Sequence, residues 1–454
     1  MIAPWRVAVV VLAAACGAAA PLNVPKGPVR AQQAAFADAR GPWLSLGATL
    51  FWAPWGYRHD RARLERELAL LARGGVDYVR VLGQVGAPDD PADSWADRPI
   101  DPRWTTTGAC PEAGGAPCAS YDEVIAGLTD LAFDRYGLRV EWTIFGSTAF
   151  TPTPAARRAL VDRMLKMAKG REHKIFHFEI ANEFYHNGFE GPEGLTELRE
   201  LGRYVQDRSS ILVALSASRS ADCDVMQRLH AGGVGDLVTV HFDRSSKAAA
   251  GQWEPVRRPW ALQSCTGLPT LRSSNEPIGP FSSVNDERDP LRLAMGAAVT
   301  YVSGVGAYVL HTGAGIRGGG RADRSRGRPA NVSDVPNIAA ILRALRAVRD
   351  RLPLDVPNWT RFDAATANPI VSVDNPSTLV AAYGAHHAGR FVITPIGIRG
   401  TLTLRAHDRI ALEVFDPRTG ERRGGGTLQR GDTFSADGLA GYVIAGSVTS
   451  SAGR

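Results

Sequence analysis

The chain has 454 residues, 44% hydrophobic and 22% charged, enough for one large domain with a full core and a smaller companion. Its formal charge is +6 and its pI about 9.2, but the basic residues are scattered, so a solvated arginine-rich surface accounts for them and nothing points to nucleic acid. No low-complexity tract is present, and the one membrane-related feature is the N-terminus.

There Arg6 precedes an apolar run, Val7 to Ala15, too short to span a bilayer but right for a signal peptide over residues 1–20. Two processing outcomes are open. Ala18-Ala19-Ala20 fits a signal-peptidase site followed by an unfavourable Pro21. The segment Leu12 to Cys16 is similar to a lipobox, with Ala13 where leucine usually stands. Residues 21–40 read as a tether, and the chain as exported: secreted, periplasmic, or lipid-anchored to a membrane through Cys16. The remaining four cysteines, Cys110, Cys118, Cys223 and Cys265, favour disulfides in an exported chain. Three connectivities are possible. Cys110–Cys118 is the natural local pair, leaving Cys223–Cys265. Zinc is the weaker alternative, because no CxxC spacing or histidine pairing accompanies them.

From Pro42 onward, short apolar runs alternate with amphipathic stretches. Strands are expected from Leu44, Val76, Leu138, Lys174, Ile211, Asp236, Leu268 and Gly306, each a nearly continuous run of β-branched, leucine and aromatic residues typical of a parallel strand buried on both faces. Helices are expected over Arg61–Arg73, Ala155–Lys169, Glu193–Val205, Pro290–Val302 and Asp334–Arg351. Eight such units over residues 41–352 predict a TIM (β/α)8 barrel. A doubly wound sheet would usually place a glycine-rich phosphate loop after its first strand; here the aromatic segment Phe51 to Gly56 follows instead. The loop over 83–119 is unusually long, carries Trp95, Trp104 and the Cys110/Cys118 pair, and belongs to the catalytic face of a barrel. Residues 355–448 lack helical periodicity and alternate β-rich runs with turns, which predicts a small antiparallel β-sandwich, with Asp416-Pro417-Arg418-Thr419-Gly420 turning between two of its strands.

Two carboxylates stand where barrel enzymes keep their catalytic groups. The fourth strand ends Glu179-Ile180-Ala181-Asn182-Glu183, followed by Phe184-Tyr185-His186. The seventh ends Ser273-Ser274-Asn275-Glu276-Pro277. This pair resembles clan A of the retaining glycoside hydrolases, whose barrels carry an acid/base glutamate after strand four, preceded by asparagine, and a nucleophilic glutamate at strand seven. The resemblance covers roughly residues 42–352, and many members also carry a C-terminal β-sandwich. It implies Glu183 as acid/base and Glu276 as nucleophile, with a polysaccharide or oligosaccharide substrate and no cofactor or metal. It further implies that Asn182 binds the sugar 2-hydroxyl, that Arg80 keeps Glu276 ionised, and that His241 stands beside the nucleophile. Glu183 is then expected to have a pKa raised by partial burial. Glu179 reads as a structural acid inside the barrel. Trp52, Trp55 and Tyr185 fall on catalytic-face loops where they could stack on sugar rings, and His311 ends strand eight where many members have tryptophan. A metal-dependent hydrolase would usually show His-x-His after strand one, and none is there. A non-catalytic carbohydrate-binding or cell-surface protein on a degenerate barrel is the competing reading, weakened by the presence of both carboxylates.

Overall fold

The computed structural model describes residues 25, 27–86, 98–109, 117–246, 250–320, 324, 326–354, 358–366 and 370–449. The expected leader, the lipobox at Cys16, Trp95 and Cys110 lie outside the described residues.

Eight parallel strands close into a barrel: β1 (Ser45–Thr49), β2 (Tyr78–Gln84), β3 (Arg139–Phe145), β4 (Ile175–Ala181), β5 (Val213–Ala214), β6 (Leu237–Val240), β7 (Leu271–Ser274) and β8 (Ala307–Leu310). Neighbours in sequence are neighbours in space, and β8 pairs back onto β1 from Ala307↔Ser45 to Leu310↔Ala48. The strands are buried along their whole length because helices cover the outer face and the barrel's own interior fills the inner one; in β3 and β4 the alternate positions Glu141, Thr143, His177 and Glu179 are polar yet buried. Helix Arg61–Arg73 starts on Asp60, whose side chain accepts from the Arg63 backbone N–H, and turns Leu64, Leu68 and Leu71 toward the strands. Each such fully buried leucine contributes about 1.5–3 kcal/mol. Helix Tyr121–Asp130 opens with a capping box, Ser120 against Glu123. Helix Pro290–Val302 is buried almost all round, because the C-terminal domain covers the face that an outer barrel helix would otherwise show to water.

That C-terminal domain pairs a six-stranded antiparallel sheet with a three-stranded one, as expected for a sandwich. Asp416 accepts from the Arg418 backbone and side chain to shape the expected turn between strands Ile410–Phe415 and Arg422–Leu428. Trp260 of the barrel stacks on Tyr383 of the sheet at 4.5 Å between ring centres, and Phe415 joins the barrel's hydrophobic core.

One boundary moves. The tether, expected to run to residue 40, gives way to a three-stranded antiparallel sheet, Arg30–Gln32, Ala35–Asp38 and Gly41–Trp43. Phe36 plugs the N-terminal mouth of the barrel against Phe176, and Asp38 takes an ion pair from Arg139 at 2.9 Å. These residues fold because the barrel floor offers apolar surface and a buried guanidinium to satisfy.

Cys223 and Cys265 form a disulfide with Cα atoms 5.4 Å apart, which removes the zinc alternative for that pair. Cys118 is also disulfide-bonded; Cys110, its expected partner, is outside the described residues. Among the described residues no helix is long and apolar enough to cross a membrane.

Candidate active site

The site lies at the C-terminal ends of the strands. In β4, side chains alternate between the two faces, so His177 and Glu179 point into the barrel and the same phase carries through Ala181 to Glu183 just beyond the strand. Glu183 itself adopts φ of +37°, a strained value for a non-glycine residue. The strain is held by neighbours: the Asn187 amide donates to the carbonyls of Asn182 (2.7 Å) and Glu183 (3.2 Å), and the Phe184 N–H donates to Ser216 Oγ (3.0 Å). Glu276 follows β7 and Asn275, His241 follows β6, and His311 follows β8.

Arg80, fully buried in β2, organises the floor. Its Nη1 donates to Glu276 Oε1 at 2.9 Å, and its Nη2 donates to Glu179 Oε2 at 2.7 Å and to Asn182 Oδ1 at 2.9 Å. Its Nε lies 3.2 Å from Glu141 Oε1, and Phe51 covers the guanidinium face at 4.9 Å. Burial would lower the Arg80 pKa, but the charges of Glu179 and Glu276 raise it instead. Glu179 is fully occupied: Thr143, Thr239 and Asn275 donate to it at 2.7, 2.6 and 3.0 Å besides Arg80. It is the structural acid the sequence suggested. Burial pushes the Glu141 carboxyl up to about 8, so at neutral pH it is mostly protonated and Arg80 faces two anions, Glu179 and Glu276.

Glu276 is buried, which alone would disfavour its charge; His241, His311, Arg80 and Arg244 reverse this and hold it far below the usual carboxylate range. Burial also pushes the His311 imidazole down to about 3, against the pull of Glu276. His311 Nδ1 is fixed by Thr49 Oγ1 at 2.9 Å, and its Nε2 lies 3.7 Å from Glu276 Oε2.

Glu183 sits across from it, half-buried. Tyr185 donates its hydroxyl to Glu183 Oε1 at 2.9 Å, and His241 Nδ1 lies 3.1 Å from the same oxygen. The raised pKa expected for Glu183 is corrected here. Burial and the Glu276 charge do push it up, but the hydrogen bond and charge of His241, with the Tyr185 hydroxyl, outweigh them and lower it. Donor atoms of Glu183, His241 and Glu276 lie within 4.8 Å of one another, so the two carboxylates face each other at short range. That spacing could also hold a metal ion, but Arg80 and Arg244 beside Glu276 repel a cation from the position.

Above the pair opens a cavity of about 230 Å³ whose walls include Asn182, His186, Arg244, Phe281, His311 and Arg328. The structure thus brings together Glu183, Glu276, Asn182, Arg80, His241, Tyr185 and His311. It separates the two tryptophans from them. Trp52 is only 2% exposed, donates its indole N–H to the Ala314 carbonyl at 3.1 Å, stacks under Arg63 and packs against Gly318, where a Cβ would collide with its ring. It is part of the wall's core and cannot stack on a sugar. Trp55 lies in helix Ala53–His59, covered by Arg98 at 4.0 Å and by His59, and is not on the cavity wall. The residues that sequence reasoning missed are Phe51, Arg244, Phe281, Arg317 and Arg328. Only Arg244, three positions after His241 on the same strand end, carried a usable positional signal.

No protein-family model matches the chain, and no curated protein matches it. Solved structures do share its fold. A glycoside hydrolase matches with TM-score 0.65 and 12% identity over 93% of this chain and 97% of its own. A glycoside hydrolase family 5 protein from Bacteroides vulgatus matches with TM-score 0.69 and 13% identity over 94% of this chain and 95% of its own. A noncanonic maltogenic alpha-amylase from Thermotoga neapolitana matches with TM-score 0.52 and 10% identity over 89% and 99%. The likeness thus spans barrel and sandwich together.

Proposed function

We propose that the chain is a retaining glycoside hydrolase in which Glu276 is the nucleophile and Glu183 the acid/base. The observation that carries this reading is the facing pair: two carboxylates at the ends of β4 and β7, with oxygens within 4.8 Å, one locked ionised and the other partly open to the cavity. Retaining enzymes hold their carboxyls about 5–5.5 Å apart and inverting ones about 6.5–9.5 Å, the latter to admit a water between them. The short spacing favours direct attack.

In the first step a Glu276 oxygen bonds to the anomeric carbon as the glycosidic C–O bond breaks, and the Glu183 proton passes to the leaving oxygen. In the second, water attacks the anomeric carbon, Glu183 takes its proton, and Glu276 departs as carboxylate. Glu183 must therefore begin protonated. Burial is the largest influence on it, and a sugar ring seated in the cavity buries it further, which moves it upward. Asn182, whose Oδ1 accepts from Arg80, is held where it can meet the sugar 2-hydroxyl. Export is part of the same reading, supported by the apolar leader and by a disulfide that a reducing cytoplasm would not maintain.

The test follows a polysaccharide and aryl-glycoside screen that identifies an accepted substrate. Glu276→Ala should be inactive on every substrate, and azide should yield at most product of inverted configuration. Glu183→Ala should still form the glycosyl-enzyme from an activated aryl glycoside, which needs no proton, and azide should rescue it to a product of retained configuration. The opposite pattern would exchange the two roles. A wild-type chain that turns over nothing would favour the carbohydrate-binding alternative.

A further inference from the structure

Away from the carboxylate pair, where the sandwich meets the barrel, lies a cavity of about 510 Å³. It is lined by Gln33 from the N-terminal sheet, Arg272 from β7, Gly304 after helix Pro290–Val302, and Trp359 and Arg361 at the start of the sandwich. Two of these are arginines, and among the described residues neither has a counter-charge. Arg272 Nη1 donates to the Leu262 carbonyl at 3.3 Å; Arg361 Nε donates to the Val302 carbonyl and its Nη1 to the Trp359 carbonyl, both at 3.1 Å. Those acceptors are neutral. The Arg272 Nε–H and the Trp359 indole N–H are buried with no acceptor among the described residues. Burial lowers both guanidinium pKa values, that of Arg361 to about 10 with the Arg272 charge adding to the effect, and no carboxylate pulls either back up. Other buried arginines of the chain are compensated: Arg80 by Glu179 at 2.7 Å, Arg139 by Asp38 at 2.9 Å and Arg349 by Asp77 at 2.8 Å. A cation taken out of water without an opposite charge is costly, and two lining one cavity add their mutual repulsion. Gly304 lets the Arg361 guanidinium lie against the chain, since a Cβ there would collide with it.

We propose that this cavity is an anion site in which Arg272 and Arg361 together hold a phosphate group, free or as the ester of a small molecule. Near neutral pH a phosphate group carries close to two negative charges even as a monoester, which matches the two cations. Guanidinium forks bind its oxygens through parallel, charge-assisted hydrogen bonds, and Arg272 Nε and Arg361 Nη2 have no other acceptor among the described residues. With one arginine from β7 and the other from strand Thr360–Asp363, the anion joins barrel to sandwich. Arg272 stands near the N-terminal end of β7, whereas Glu276 follows its C-terminal end, so the inference is independent of the hydrolase reading.

The test is calorimetric titration of the full chain with sodium phosphate at neutral pH, the ionic strength held constant with sodium chloride. One site per chain should saturate at millimolar concentration or below. Arg272→Gln and Arg361→Gln should each weaken it about ten-fold or more, the loss of a charged hydrogen bond being worth that much. Should either variant not fold, Arg361→Lys, which keeps the charge and loses the fork, takes its place and should also bind more weakly than wild type. Glucose 6-phosphate in the same titration distinguishes the sources: tighter binding than inorganic phosphate assigns the cavity to an ester, equal or weaker binding to the free ion. The wild-type melting temperature needs no variant. Phosphate should raise it and chloride at equal ionic strength should not, because the ligand binds the folded chain alone. A wild type that binds no phosphate, or folded variants that bind it as the wild type does, overturns the inference and leaves the two arginines serving only the carbonyls they touch. Turnover of glycosides enters neither result, so failure here and failure of the hydrolase reading are separate outcomes.

Discussion

His241 Nδ1 lies 3.1 Å from Glu183 Oε1, with its Nε2 3.6 Å from Glu276 Oε1, so one imidazole faces both carboxylates. It is the largest opposing influence on each, lowering Glu183 by hydrogen bond and charge and Glu276 by charge, against burial that raises both. Replacing it with a neutral side chain must move both carboxyls upward. On the proposed mechanism activity needs Glu276 ionised, which would set the acid limb of the pH profile, and Glu183 protonated, which would set the alkaline limb. In His241→Gln both limbs of kcat/KM should therefore shift to higher pH, with activity at the wild-type optimum down by about ten-fold or more. A profile that keeps its limbs and only loses height would assign His241 to sugar binding alone.

The Cys223–Cys265 disulfide joins the start of helix Cys223–His230 to the residue after the turn Arg258–Ser264, closing a loop of 42 residues. Closing a loop of that size in the unfolded chain is worth about 2–4 kcal/mol. Cys223→Ala/Cys265→Ala should lower the unfolding free energy by roughly that amount in urea titrations, and reductant should lower the wild type by about that much more than the variant, in which the Cys118 disulfide is still reducible. A loss below about 1 kcal/mol would mean that the unfolded chain gains little freedom from opening this loop.

The barrel was legible because its strands are buried on both faces and read as nearly continuous apolar runs, and helices Arg61–Arg73 and Pro290–Val302 begin and end where periodicity and caps put them. Glu183, Glu276 and Arg80 were legible from their places at or near strand ends. What escaped depended on partners distant in sequence. The strands between Arg30 and Trp43 are three or four residues each, too short for a period, and fold only because the barrel floor receives them. Trp52 looked like a loop aromatic, yet its burial is decided by Gly318 and Ala314 after β8. The Pro54 just inside helix Ala53–His59 was a signal for a helix start that the aromatic composition masked. The direction of the Glu183 shift could not be read locally, since it is set by a histidine on another strand end.

The last prediction concerns the buried acid that does no chemistry. Glu141 is pushed from its ordinary 4.5 up to about 8, by burial first and by the Glu179 charge, with Arg80 opposing. In the unfolded chain it releases its proton near 4.5; in the folded chain it keeps the proton to about 8. Between those values the folded state binds more protons than the unfolded one, so this group's contribution to stability is complete below about pH 4.5 and is lost as pH rises toward 8. Glu141→Gln keeps the shape and cannot ionise, so it removes that slope. Urea unfolding of wild type and variant at pH 4.5, 6 and 8 should show the variant gaining stability relative to the wild type with each step upward. Titrating groups distant from Glu141 cancel in the difference, because the substitution leaves them in place. A difference that stays constant across this range would mean that Glu141 is ionised in the folded protein, and that Arg80 balances three anions rather than two.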